Sequence, residues 1–347
     1  MVSTSNWTPP YPPSWFDRFT ASIERLPGPA WVYYSALFVI LFAAESAAQW
    51  VAGTYPVGSF SRLHLLVTAT IIYLPAFMHY LNRAASAALT SFRPALDVSE
   101  EGYKDLRYRL TTLPARQALF TSLVGLGIAV VALVGDPTMA PLGISSASVS
   151  IAFNLALVII AWFCWALLPY QLVRQLNLVN TIYTRFTKIR FLQLSPLYSL
   201  SGFTARAAIG LLIGIYAWFI VSPDLIRDPA VLAVYILGMT LAAAAFFLPL
   251  LGIHRLLQEE KHRWLLDASY RLEACVLELH RGIDQSNLTA VGQIKDAIAA
   301  LDTELRRLHE TPTWPWQPGT PRTLLVALFL PVGIWLLQTL AARYLRM

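Results

Sequence analysis

The sequence predicts an all-α polytopic membrane protein with seven transmembrane helices, and three observations predict it. Of the 347 residues, 56% are hydrophobic and only 13% charged, against roughly 25% charged in a typical soluble domain. Seven apolar runs, at 31–53, 60–81, 117–135, 147–172, 204–222, 231–253 and 323–342, lie close to the ~20 residues an α-helix needs to cross a bilayer. Hydrocarbon offers no partner to backbone N–H and C=O groups, so each run must close its own hydrogen bonds as a helix. The third observation is where the cations fall. The segment after run 2 carries Arg83, Arg93, Lys104, Arg107, Arg109 and Arg116. The segment after run 4 carries Arg174, Arg185, Lys188 and Arg190, and Arg255 to Arg307 continue the pattern after run 6. The alternate loops hold only Arg62 and Arg227. By the positive-inside rule the N-terminus is inside and the C-terminus outside; Arg343 and Arg346 in the short outer tail run against it.

Four regions follow. Residues 1–30 form a cytoplasmic N-terminal segment. Residues 31–253 form a six-helix bundle with cytoplasmic loops at 82–116 and 173–203. Residues 254–312 form a cytoplasmic helical hairpin, and 313–347 a re-entry segment with the seventh helix. The opening residues lack the basic start, apolar core and cleavage site of a secretory signal, so insertion is expected through the first helix.

The N-terminal prolines Pro9, Pro10, Pro12 and Pro13 predict a loose or polyproline-like start. Trp15, Phe16, Phe19, Ile23 and Leu26 then share one helical face. That suits a helix in the headgroup layer or one packed on the protein's own body. Pro75, Pro169, Pro249 and Pro331 mark kinks. Ser99 caps a helix with Glu100 and Glu101 in its first turn and Tyr103, Leu106 and Leu110 on its apolar face. Run 4 is expected to continue into the cytoplasm over 173–191, and run 6 leads into a charged helical segment. In that segment Leu265, Ala268, Leu272, Cys275 and Leu279 step by threes and fours, as do Val291, Ile294, Ile298, Leu301, Leu305 and Leu308. Gly282, Asp284, Ser286 and Asn287 separate the two series, which predicts two antiparallel helices with Gly282 ending the first. The fold is thus a membrane bundle with a cytoplasmic body made by the extensions of helices 4 and 6 and the helix before helix 7. At Trp314, Pro315 and Trp316 the chain re-enters the membrane, with both tryptophans at the inner interface.

Composition also excludes functions. The net charge of +6 reflects topology rather than a basic face, so no nucleic acid is expected. Cys164 and Cys275 lie in different phases and make neither a disulfide nor a metal site. His254, His262, His280 and His309 are scattered among charged residues. No phosphate loop, nucleotide fingerprint or acid–base cluster is present, so neither enzyme activity nor a cofactor is expected. The exception to the shortage of buried polarity is Glu45 in run 1, with Gln49 one turn on. An intramembrane acid marks a functional site by default. It serves either a ligand pocket in the outer half or a hydrogen bond between helices. Asn154 in run 4 lies at similar depth, Gln338 is the strongly polar side chain inside run 7, and Gly210 and Gly214 permit close helix approach.

Seven helices with the N-terminus inside, helices 4 and 6 extended into the cytoplasm and a returning helix before a short helix 7 resemble the seven-transmembrane ion channel superfamily. That superfamily includes the insect odorant and gustatory receptors. The resemblance is one of layout. The insect signature in helix 7 is Thr-Tyr, five apolar residues, then Gln-Phe. Aligned on Gln338, this chain has Val332-Gly333 and Thr339 at the other positions. The resemblance implies a homotetramer joined by its cytoplasmic helices, Gln338 lining a central cation pore, and an unidentified small ligand bound near Glu45, Gln49 and Asn154. The expected function is therefore an oligomeric channel-like or receptor-like protein of the cell membrane, surrounded by lipid. Ala/Leu-rich composition and compact loops suggest a prokaryotic inner or plasma membrane. Two other functions suit the same layout: a non-conducting sensor or scaffold, and a small-solute transporter.

Overall fold

A computed structural model describes residues 7–53, 55–135, 148–187, 196–221, 229–285 and 288–316, together with 319, 322, 323, 325, 326, 329 and 333. The side chains of 63, 132–135, 148–154, 158, 219, 229–231, 234 and 288–290 fall outside that description. The regular secondary structure of the described residues is all helical, without a strand. Two isolated bridges join Pro13 to Pro114 and Leu96 to Thr187.

The helices are α1 (Trp15–Glu24), α2 (Ala30–Val51), α3 (Arg62–Phe92), α4 (Glu100–Thr111), α5 (Ala115–Gly135), α6 (Ser148–Trp165), α7 (Leu167–Arg185), α8 (Leu197–Val221), α9 (Pro229–Asp284) and α10 (Leu288–Glu310). Among the described residues five stretches are long and apolar enough to cross a membrane: α2, α3, α6 with α7, α8 and the first part of α9. Within α5 there is a shorter apolar stretch, Ala115–Val131. Six of the seven expected runs are therefore helices; the seventh lies almost wholly outside the described residues. Val39, Ile40, Phe120, Val131 and Leu237 are each at least 60% exposed, a distribution that suits hydrocarbon and not water.

The centre of the bundle is α3, which packs against α2, α4, α6, α7 and α8; α8 in turn packs on α9, and α9 on α10. The main core lies toward the α4 end. It is built from Phe16, Leu89, Phe92, Tyr183, Phe203 and Phe246, among others. Pro75 and Pro249 sit within α3 and α9. Pro169 sits in the first turn of α7, where its missing N–H costs no hydrogen bond, and the chain breaks just before it at Ala166. Gly210 and Gly214 face α3. A Cβ at Gly210 would stand 2.0 Å from the Phe77 ring, so glycine sets how close α8 comes.

Two sequence expectations are corrected, and for α1 one of two alternatives is favoured. The proline-rich start is not loose: Ala115 N–H donates to the Pro12 carbonyl at 3.2 Å, and Arg174 donates to the Tyr11 hydroxyl. In α1 Phe16 and Ile23 are buried against the protein's own core, while Phe19 on the same face and Leu26 just beyond the helix stay exposed. Gly282 does not end its helix. The chain stays helical from Pro229 to Asp284, and the bare Gly282 backbone lets Val291 of α10 approach; an added Cβ would meet Val291 at 3.3 Å. The seam between α9 and α10 holds as expected. Ala268 and Leu308 are fully buried, and the other seam residues are partly buried.

Candidate functional site

Glu45 and Gln49 lie one turn apart on α2 and are each only 2% exposed. On α3, His64 and Thr68 are also one turn apart and face them. The Thr68 hydroxyl donates to Glu45 Oε2 at 2.5 Å, and His64 Nδ1 stands 3.9 Å from Glu45 Oε1. The second distance is beyond hydrogen-bond reach, so Oε1 keeps accepting capacity. The Tyr55 ring meets His64 edge-on at 5.9 Å. Trp50 closes the turn between α2 and α3 by donating to the Ser59 carbonyl at 2.7 Å. Neither the amide nitrogen nor the oxygen of Gln49 has a partner among the described residues. Burying such an atom unpaired costs about 1–3 kcal/mol. The cluster therefore offers a carboxylate oxygen with accepting capacity and a complete amide, a set that suits a small donor-bearing polar group.

A second cluster lies further along α3. His79 is 3% exposed. Its Nε2 is 2.9 Å from Glu24 Oε1, and its Nδ1 is 3.1 Å from the Tyr34 hydroxyl. A carboxylate only accepts, so Nε2 carries the proton when Glu24 is ionised, and Nδ1 shares a hydrogen bond with the Tyr34 hydroxyl. Sequence reading missed His79. The available signal was an ionisable residue inside run 2, the same signal that singled out Glu45. A third polar layer joins α7 to α3: Gln171 and Gln175 each donate to Asn82 Oδ1, at 2.9 and 2.8 Å.

Below these layers the N-terminal segment is clasped. Asp17 Oδ2 accepts from Ser14 N–H, from the Ser14 hydroxyl and from Leu113 N–H, at 3.0, 2.7 and 2.9 Å. Burial still raises the Asp17 carboxyl above its ordinary range, with those hydrogen bonds opposing it. Tyr11 is likewise raised by burial, against the pull of Arg174. Arg174 also donates to the Thr112 carbonyl at 2.8 Å.

Of the residues expected to form a ligand pocket, Glu45 and Gln49 come together. The Asn154 side chain and Gln338 lie outside the described residues. Trp314, Pro315 and Trp316 fold back on α9. Trp314 stacks on His254 at 3.8 Å and on Trp316 at 4.3 Å, and Trp316 stacks on Phe246 at 5.8 Å. His254 Nδ1 is 3.1 Å from the Thr313 carbonyl, and Lys261 donates to the carbonyls of His309 and Thr311 at 2.7 and 2.8 Å. The segment is thus held by protein contacts, which interfacial anchoring alone did not anticipate. Among the described residues no cluster of His, Cys, Asp and Glu could hold a metal ion. No protein-family model, characterised protein or solved structure matches the chain.

Proposed function

We propose that the chain is a multi-pass membrane protein with its N-terminus inside, working as an oligomeric receptor-like or channel-like assembly. A small polar ligand binds between α2 and α3 at Glu45, Gln49, His64 and Thr68, and the α9–α10 hairpin carries the response and joins subunits. The observation that carries this reading is α9. Its 56 residues make one helix about 84 Å long at 1.5 Å per residue, packed on α8 at one end and on α10 at the other. A rod of that length turns a small tilt in the bundle into a displacement at the hairpin. On the face of α9 turned away from α10, Leu266, Tyr270 and Leu277 are 43%, 69% and 55% exposed. That apolar stripe supports self-association, with a tetramer as the expected state.

Light scattering on the purified protein measures subunit number, and planar bilayers in symmetric potassium chloride measure conductance. The expected result is an oligomer that dissociates in the double variant Leu266→Glu/Tyr270→Glu without loss of helix, and current reduced by Glu45→Gln. A monomeric and silent wild type overturns the reading.

A second reading, proton-coupled transport of a small solute, is favoured by two acid–histidine pairs along α3, Glu45 with His64 in its first turn and Glu24 with His79 near its middle. It predicts proton uptake into vesicles, read with an internal pH dye and abolished by Glu45→Gln, from protein that carries no channel current.

A further inference from the structure

We propose that the groove between α3 and α8 holds an anionic phospholipid, its phosphate on Arg206 and one acyl chain along the apolar wall above. The inference rests on the membrane reading. Arg206 lies on α8, two residues inside the run 204–222 that is expected to cross the bilayer. It is exposed, and no described acid or carbonyl accepts from it. A guanidinium at a membrane-spanning helix requires an anion or water at its head. Its surroundings supply a groove of about 400 Å³, lined by Tyr73, Phe77, Tyr80, Ile209 and Ile213 besides Arg206.

The depth agrees with a headgroup. Tyr80 and Arg206 stand a residue or two inside the ends of runs 60–81 and 204–222 that lie toward α4. With the N-terminus inside, that is the inner leaflet. Tyr80 is 49% exposed, and no described residue bonds its hydroxyl. Hydroxyl and guanidinium are both available to phosphate oxygens, which Arg binds with two parallel N–H groups. Arg83, exposed one turn beyond Tyr80, adds a second cation on the same side. Above them the wall is apolar: Ile213 is 55% exposed, and Phe77 forms the floor where Gly210 brings the helices together. Tyr73 fixes that floor by donating to the Gly210 carbonyl at 2.6 Å. The cation at the interface and the apolar channel leading into the bilayer together fit a lipid; a free phosphate would leave the channel unfilled.

The experiment uses the full chain in nanodiscs of equal phosphatidylcholine and phosphatidylglycerol. After mild detergent extraction, native mass spectrometry counts the lipids each chain retains. The wild type should retain phosphatidylglycerol over phosphatidylcholine by about tenfold, the size of one charge-assisted contact. Arg206→Gln should abolish the preference and Arg206→Lys restore part of it. Ile213→Trp, which fills the channel without changing charge, should also reduce retention, and Arg263→Gln on the distant hairpin should not. Excess glycerol phosphate should fail to displace the lipid; displacement by it would show a phosphate site and overturn the lipid. Equal retention by wild type and Arg206→Gln overturns the proposal. Carbonate extraction of whole membranes separates the two claims. Protein released by carbonate defeats the membrane reading, whereas retained protein without lipid preference defeats this inference alone.

Discussion

Asp17 shows how one buried side chain organises its surroundings. It closes the capping box of α1 with Ser14 and reaches Leu113 ahead of α5, tying two distant segments to one oxygen. Burial raises its folded pKa above the unfolded value. The stability it contributes is therefore fully present below the unfolded pKa and is lost as pH rises through the folded one. Asp17→Asn removes that dependence. The melting temperature of the variant minus that of the wild type should increase from acid toward neutral pH; a difference that shrinks as pH rises would falsify the assignment. At Glu45 the prediction concerns pairing. Thr68→Val keeps the shape but strips Glu45 Oε2 of its donor, at a cost of about 1–3 kcal/mol. The same substitution made on Glu45→Gln should cost measurably less, and thermal melts of the four proteins in the cycle test that. Equal costs in both backgrounds would mean the bond contributes nothing.

At the scale of elements, the contact of α3 with α8 depends on glycine. Gly210→Leu places a branched side chain where even a Cβ stands 2.0 Å from Phe77. Overpacking of this kind typically costs about 1–3 kcal/mol, so the melting temperature should fall and the two helices should separate. Cysteine pairs introduced on them would then cross-link more slowly. Gly202, on the same helix with open space around it, is the control: Gly202→Ala should be neutral or stabilising. The element α1 offers a comparable test. Ser14→Ala removes a side-chain cap from a helix of only 10 residues, a loss of about 1 kcal/mol. Limited proteolysis should then cut within α1 before any other helix.

Across the whole molecule, Arg174 joins three parts of the chain. From α7 it donates to the Thr112 carbonyl beyond α4 and to the Tyr11 hydroxyl of the N-terminal segment, and its guanidinium lies 5.4 Å from the centre of the Tyr11 ring. Arg174→Ala breaks all of these while leaving the apolar core intact. Hydrogen exchange in residues 7–24 should accelerate well beyond that of α8 and α9. Uniform acceleration would show that the clasp is part of the global fold and not a local latch.

The sequence by itself determined the helical class, six of the apolar helices, the Ser99 cap, the α9–α10 seam and the placing of Glu45 with Gln49 on one face of an apolar helix. These rest on periodicity, on cap chemistry within a few residues and on the cost of burying charge, all of which are local. Only the tertiary structure decided what covers each face. Periodicity identified the apolar side of α1 but could not say whether lipid or protein meets it. Gly282 has the composition of a helix stop, yet the approach of Val291 makes it a packing residue. His79 finds Glu24 across 55 positions, and Arg174 finds Tyr11 across 163. Such pairs form because packed helices bring remote side chains together where water is absent and each polar group must find a partner.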